Sequence, residues 1–182
     1  MQKAMKEIAR DVEFAILTNA TKTAGDAATA GQLGGIKYWN DANVTDMETA
    51  ALTEPKFNDA IQKAWEAGGT PGLVICSGKN KRVISGFTAG SQKTKAMEDK
   101  KLVQVVEIYE SDFGIVKMQA HRMQTNDRID ILETQYWKIA YLIPFKTEDL
   151  PRVGLKVAKN IHGQLTLECR TKEAHASIIN IA

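Results

Sequence analysis

LVQVVEIYE (102–110), FGIVKMQA (113–120), DRIDILE (127–133) and YWKIAYLIP (136–144) follow one another with only short polar joins. Each is rich in Val, Ile, Tyr or Phe, residues that suit a pleated and partly buried surface. The joins carry turn formers, Ser111-Asp112 and Thr125-Asn126-Asp127. The second half of the chain therefore reads as mostly β. TEDLPRVG (147–154) breaks the pattern with Pro151 and Gly154. GLKVAKNIHG (154–163) and QLTLECR (164–170) then alternate again, and KEAHASIIN (172–180) suits a strand or a helical turn.

Upstream of this block the period changes. Met1, Met5, Ile8, Val12 and Ala15 recur at spacings of three and four, which predicts an amphipathic helix over 1–17. No capping residue precedes it, so the helix is expected to begin further upstream. In residues 18–35, thirteen of eighteen are Ala, Thr or Gly, which predicts a loop with close backbone approaches. GGIKYWN (34–40) reads as a short strand-like piece. A second helix is punctuated at both ends, by Thr53 and Pro55 at its start and Gly68-Gly69 at its end. Phe57, Ile61, Ala64 and Trp65 form its expected buried face. LVIC (73–76) is a short buried strand, and Ser77 caps a third helix running to about Phe87, with Val83, Ile84 and Phe87 inward. Residues 88–101 read as a polar loop.

At 182 residues the chain is long enough to bury a core without staples, roughly 70% of its unfolded surface. Lys plus Arg number 24 against 22 Asp plus Glu, a net charge of +2 that argues against a nucleic-acid coat over the whole molecule. The two cysteines, Cys76 and Cys169, each sit in an apolar stretch and read as buried free thiols. No apolar run approaches the roughly 20 residues of a membrane span, and no signal-peptide pattern opens the chain.

Chemical motifs fail on inspection. Gly72…Gly78-Lys79 has five residues between its glycines where a phosphate loop needs four, and Asn80 stands where Ser or Thr must reach magnesium. Asp112-Phe113-Gly114 and His121-Arg122 spell pieces of kinase signatures in the wrong order, with Met123 where the catalytic Asp belongs. His121, His162 and His175 fall on separate elements without ligand spacing. Asn19-Ala-Thr21 and Asn43-Val-Thr45 match the glycosylation pattern, which carries no weight without a secretion signal. The most uneven charge lies at 79–101: Lys79, Lys81, Arg82, Lys93, Lys95, Lys100 and Lys101 against Glu98 and Asp99. That stretch is either a solvated face or one side of an electrostatic contact.

The order of segments carries more than any single one. A long leading helix precedes a small-residue loop and Gly34-Gly35-Ile36-Lys37-Tyr38-Trp39. A capped helix ending in Gly68-Gly69 leads to strand, helix, and a strand pair around Tyr109-Glu110-Ser111-Asp112-Phe113-Gly114. The chain closes with Tyr141-Leu142-Ile143-Pro144, Glu148-Asp149-Leu150, Val153-Gly154, Gln164-Leu165-Thr166-Leu167-Glu168 and Lys172-Glu173-Ala174-His175. This order resembles the major capsid proteins of tailed bacteriophages and prophages with the Hong Kong 97-type fold.

The resemblance implies an α+β subunit with a mixed sheet and two lobes. The leading "spine" helix and terminal strands, 1–50 and 160–182, would form a peripheral lobe, and 51–159 an axial lobe. Family members carry an N-terminal arm and an extended loop ahead of the spine helix, which have no counterpart here. The implied function is structural: self-assembly, through pentamers and hexamers, into a head shell that encloses DNA. No enzyme activity, cofactor, metal or membrane partner is implied. Scaffold, portal or decoration proteins would be further partners, and packaged DNA only an indirect one. The setting would be the virion, with the host cytoplasm during assembly. Lys93, Lys95, Lys100 and Lys101 are the candidate interface residues, facing an acidic neighbour such as Asp41, Asp46 and Glu48. The rival readings are a small cytoplasmic α+β enzyme or ligand-binding domain, and a cellular nanocompartment shell of the same fold.

Overall fold

The computed structural model describes residues 2–87, 108–151, 154 and 158–182. The elements in chain order are α1 (Gln2–Thr18), α2 (Ile36–Trp39), β1 (Val44–Asp46), α3 (Glu54–Glu66), β2 (Leu73–Cys76), α4 (Gly78–Phe87), β3 (Ile108–Ser111), β4 (Gly114–Ala120), β5 (Ile129–Leu132), β6 (Trp137–Asp149), β7 (Lys159–Cys169) and β8 (Ala176–Ile179). A 3-10 turn, Thr134–Tyr136, joins β5 to β6.

Two sheets result. The larger has six strands in the order β1-β8-β5-β2-β4-β3, with β1–β8 and β2–β4 parallel and the other pairs antiparallel. Every residue of β5 is buried, as suits a central strand covered on both faces. The smaller sheet is the antiparallel ribbon β6–β7 alone.

Alternation along the strands sends side chains to two cores. On one face Val74, Cys76, Val116, Met118, Ile129, Ile131, Ala176 and Ile178 pack with Phe57, Ile61 and Ala64 of α3 and Ile84 of α4. On the other, Leu132 and Ile75 meet Leu17 of α1, Ile36 of α2, and Trp137 and Leu167 at the root of the ribbon. The two cores lie on opposite faces of the six-stranded sheet. β1 and β8 belong to the six-stranded sheet, and both ribbon strands belong together.

α3, β2, α4 and the strands of the second half lie where the sequence predicts. Ser77 accepts from the Asn80 backbone N–H at 3.3 Å, as a cap should, while Thr53 holds the N-cap position of α3 without a side-chain bond. Gly69 approaches the backbone of Ala174 so closely that a Cβ would lie 2.6 Å from its carbonyl oxygen. Residues 88–107, with the expected polar loop and the first part of LVQVVEIYE, lie outside the described residues.

Five expectations are corrected. GGIKYWN is not strand-like: Ile36–Trp39 is one helical turn, closed by Asn40 N–H donating to the Ile36 carbonyl at 2.8 Å. Gly35 permits it by lying against the C-terminal carbonyls of α1, where a Cβ would meet Ala15 O at 2.6 Å. Strand β6 does not stop at Pro144 but runs on to Asp149. One register shift precedes the proline and a second, between Ile143 and Lys146, spans it, so the missing N–H falls where the ladder is already interrupted. Trp65 is 51% exposed and stacks on Phe113 at 5.5 Å instead of entering the core. Val83 and Met5 also sit at the surface.

Candidate assembly surfaces

Among the described residues, the ribbon gathers the largest group of exposed apolar side chains. β6 and β7 have 13 and 11 residues, so the ribbon is about 40 Å long at the usual rise of a strand. Two strands without a covering layer bury little, and Ile139, Tyr141, Leu142, Phe145 and Leu150 are all exposed, Leu142 by 81%. Phe145 lies across Gly163, whose hydrogen leaves room that a Cβ, 2.6 Å from the ring, would fill. Ion pairs stud the far half of the ribbon, Lys146–Glu148 at 2.9 Å and Lys159–Asp149 at 2.8 Å. The hydrogen bond from Lys146 holds the Glu148 carboxyl below the usual carboxylate value.

A groove of about 1180 Å³ separates the ribbon from α1 and the loop after it. Ile8, Val12 and Ala15 line one wall and Tyr141, Leu142 and Phe145 the other. Ile8, Val12 and Ala15 of the apolar stripe of α1 therefore face the ribbon strands, while Met5 stays exposed. Only at its C-terminal end does it reach the core, through Leu17.

Buried polar groups cluster on β5 and beside it, close to where the chain leaves the sheet for the ribbon. Asp130 on β5 accepts from Asn40 Nδ2 at 2.8 Å, from Arg128 Nε at 2.9 Å and from Gln124 Nε2 at 2.8 Å. Arg128 also donates to the Asn40 carbonyl at 3.0 Å, so α2, β5 and the segment before it are tied at one point. A buried ion pair of this kind is held by its extra hydrogen bonds rather than by Coulomb attraction alone. Beside it, Glu133 accepts from the Thr70 N–H at 2.7 Å and from the Gln135 side-chain amide. His175 is fully buried, its Nδ1 accepting from the Glu133 N–H at 3.1 Å. Burial pushes its pKa below the ordinary 6.5, against the opposing pull of Glu133 and Glu173.

Lys93, Lys95, Lys100 and Lys101 lie outside the described residues. Two of their suggested acidic counterparts, Asp41 and Asp46, are engaged within the chain. Asp41 pairs with Lys172 at 2.9 Å, and Asp46 accepts from the Glu48 N–H at 2.8 Å and Asn180 Nδ2 at 2.9 Å. Lys79 donates to the Ala182 carbonyl at 2.6 Å and Lys81 to that of Met118 at 3.3 Å. Cys76 and Cys169 are free thiols, the first fully buried and the second half-buried. Burial pushes the Cys76 thiol up to about 11 and raises Cys169 as well. His121 bonds Glu13 of α1 at 2.9 Å, and His162 lies 3.7 Å from Glu148. The described residues hold no group of three or more His, Cys, Asp and Glu arranged to bind a metal ion, and no helix long and apolar enough to cross a membrane.

Sequence reading missed the ribbon surface. Its signal was present: Ile139-Ala140-Tyr141-Leu142-Ile143 is apolar on both strand faces, and a two-stranded ribbon has nothing to cover either face.

The mixed α+β architecture is similar to that of a chain in a phage procapsid. A chain of the satellite phage P4 procapsid that includes the size determination (Sid) protein superposes with a TM-score of 0.60 at 12% identity. The match takes in 99% of this chain and 62% of that one, so this chain spans under two thirds of the length of its structural relative. The sequence itself belongs to the SU10 major capsid protein family, which matches it over residues 1–182. No curated protein matches it. The capsid resemblance carried by the order of segments is thus borne out at the level of family.

Proposed function

We propose that the chain is a structural subunit of a Hong Kong 97-type head shell, joining copies of itself into pentamers and hexamers around packaged DNA. The observation that carries this reading is the ribbon: a long, two-stranded projection with Ile139, Tyr141 and Leu142 exposed. An apolar surface of this size on a soluble chain marks a contact that a neighbour covers. The lobes of such a subunit would follow the two cores. The six-stranded sheet with α3 and α4 would stand toward the capsomer axis, and α1 with the ribbon toward the periphery. In this role the protein performs no catalysis and resides in the virion, after assembly in the host cytoplasm. Scaffold, portal or decoration proteins would dock on the finished lattice. Lys93, Lys95, Lys100 and Lys101 would supply a weak contact between subunits that salt loosens, since exposed ion pairs contribute only about 0–1 kcal/mol each.

Negative-stain images paired with a sizing profile test the reading. Rings, tubes or shells are the expected result, with smaller species as salt rises. A monomer at every concentration and salt would contradict it.

A further inference from the structure

The two chain crossings between sheet and ribbon meet at one imidazole. The first runs from Glu133, at the end of β5, through Tyr136 to Trp137, the first residue of β6. The second runs from Cys169, the last residue of β7, through Lys172 to His175, just before β8. Arg170 N–H donates to the Tyr136 carbonyl at 3.1 Å, so the crossings also touch each other. The His175 ring lies 4.9 Å from that of Trp137 at an interplanar angle of 30°, and 6.4 Å from that of Tyr136. Asn43 clamps the backbone behind it, donating to the carbonyls of Glu173 and His175 at 2.7 and 2.8 Å.

The hydrogen bonding fixes the ring's protonation. Nδ1 accepts from Glu133 N–H, so it carries no proton, and the neutral ring keeps its proton on Nε2. Nε2 is buried and meets no hydrogen-bond partner among the described residues. A second proton would have to enter at Nδ1. It would turn the acceptor into a donor facing the Glu133 N–H, and would place a full charge on a ring shut off from water. The charged neighbours do not offset this. The Glu133 carboxylate is already held by Thr70 N–H and Gln135. Lys172, in the preceding turn, is bound to Asp41. Arg170 is bound to Glu168, and Glu173 stands two residues away along the chain.

We propose that His175 is a pH-sensitive latch between the six-stranded sheet and the β6–β7 ribbon: neutral, it accepts from Glu133 at the sheet's end and packs its ring on Trp137 at the ribbon's root, and protonated, it releases that root while the sheet stays folded. The latch is local because the contacts it guards are local. The sheet has its own core on the far face, around Phe57 and Ile131, whereas the ribbon's inner end is held by the small cluster of Leu17, Ile36, Leu132, Leu167 and Trp137.

Amide hydrogen exchange, corrected for the intrinsic rate and compared at about pH 7.5 and about pH 5, tests the proposal. In the wild-type chain, amides of Trp137–Tyr141 and Leu165–Cys169 should lose about tenfold in protection at the lower pH while those of β2 and β5 keep theirs. The His175→Gln variant can still accept the Glu133 N–H but does not titrate, and its ribbon protection should not depend on pH. The His162→Gln variant removes the other ribbon histidine and should behave as wild type. The imidazole signal of His175 should titrate in step with the loss. Unchanged wild-type protection would overturn the latch. So would simultaneous loss in sheet and ribbon, or transfer of the effect to His162. If His175→Gln does not fold, the wild-type pair and the histidine titration still decide.

Discussion

The six-stranded sheet and the β6–β7 ribbon are made of similar residues and meet opposite fates. β5 (Ile129–Leu132) is apolar apart from Asp130, and the middle of β6 (Ile139–Ile143) is apolar throughout. In β5 every residue is buried; in β6 most are exposed, because the ribbon has no third strand and no helix laid on it. Apolar composition therefore does not decide burial in this chain. The number of layers does. A strand with neighbours on both edges and packing on both faces becomes core, whereas a ribbon of the same residues remains a surface awaiting a partner.

The contrast is sharpest in stability. Phe57→Ala, at the centre of the sheet's core, should destabilise the folded chain by about 3–5 kcal/mol, read by urea unfolding. Asp130→Ala should come close to this, about 3–5 kcal/mol, because it strands Arg128 as a buried charge without a partner. If Asp130→Ala proved neutral, the buried polar cluster would be incidental to holding α2 and the segment before β5 on the sheet.

Ile8→Ala probes the middle ground. A fully buried isoleucine loses about 2–5 kcal/mol on such a change. Ile8 is only half-buried, on the open groove, so a loss nearer about 1 kcal/mol is expected from the methylenes it still covers. A loss as large as that of Phe57→Ala would mean that α1 is welded to the ribbon more tightly than the groove implies.

The thiols extend the comparison to chemistry. Cys76, inside the sheet and with its thiol pushed up to about 11, should react with a thiol reagent only as fast as the sheet opens. Cys169, half-buried at the ribbon's root, should react sooner. Equal rates would show that sheet and root open together.

The elements of the sheet were largely legible in sequence because their signals are local. Gly68-Gly69 stops α3, Ser77 caps α4, and Ser111-Asp112 turns β3 into β4. β1 was not legible: three residues in a polar stretch become a strand only through parallel pairing with β8, more than a hundred positions away. The helical turn at Ile36–Trp39 was hidden for a similar reason, since it is set by the seat of Gly35 on α1. The assembly surface was the least legible part. The reading placed contacts in a lysine-rich stretch, where charge is conspicuous, and overlooked a ribbon whose apolar residues look like core until the topology leaves them uncovered. The buried position of His175 could not be read either, because it depends on two crossings meeting in space.

Smallest in its effect on the isolated subunit, and most direct as a test, is the ribbon itself. Tyr141→Ser with Leu142→Ser should leave the unfolding midpoint of the monomer nearly unchanged, within about 0.5 kcal/mol, because both side chains face solvent. Sedimentation velocity of this variant beside the wild type, over the same range of concentration and salt, measures what the exposed surface is for. The wild type should form larger species as concentration rises, and the variant should remain monomeric. Equal association of the two chains would contradict the claim that the ribbon is an assembly surface.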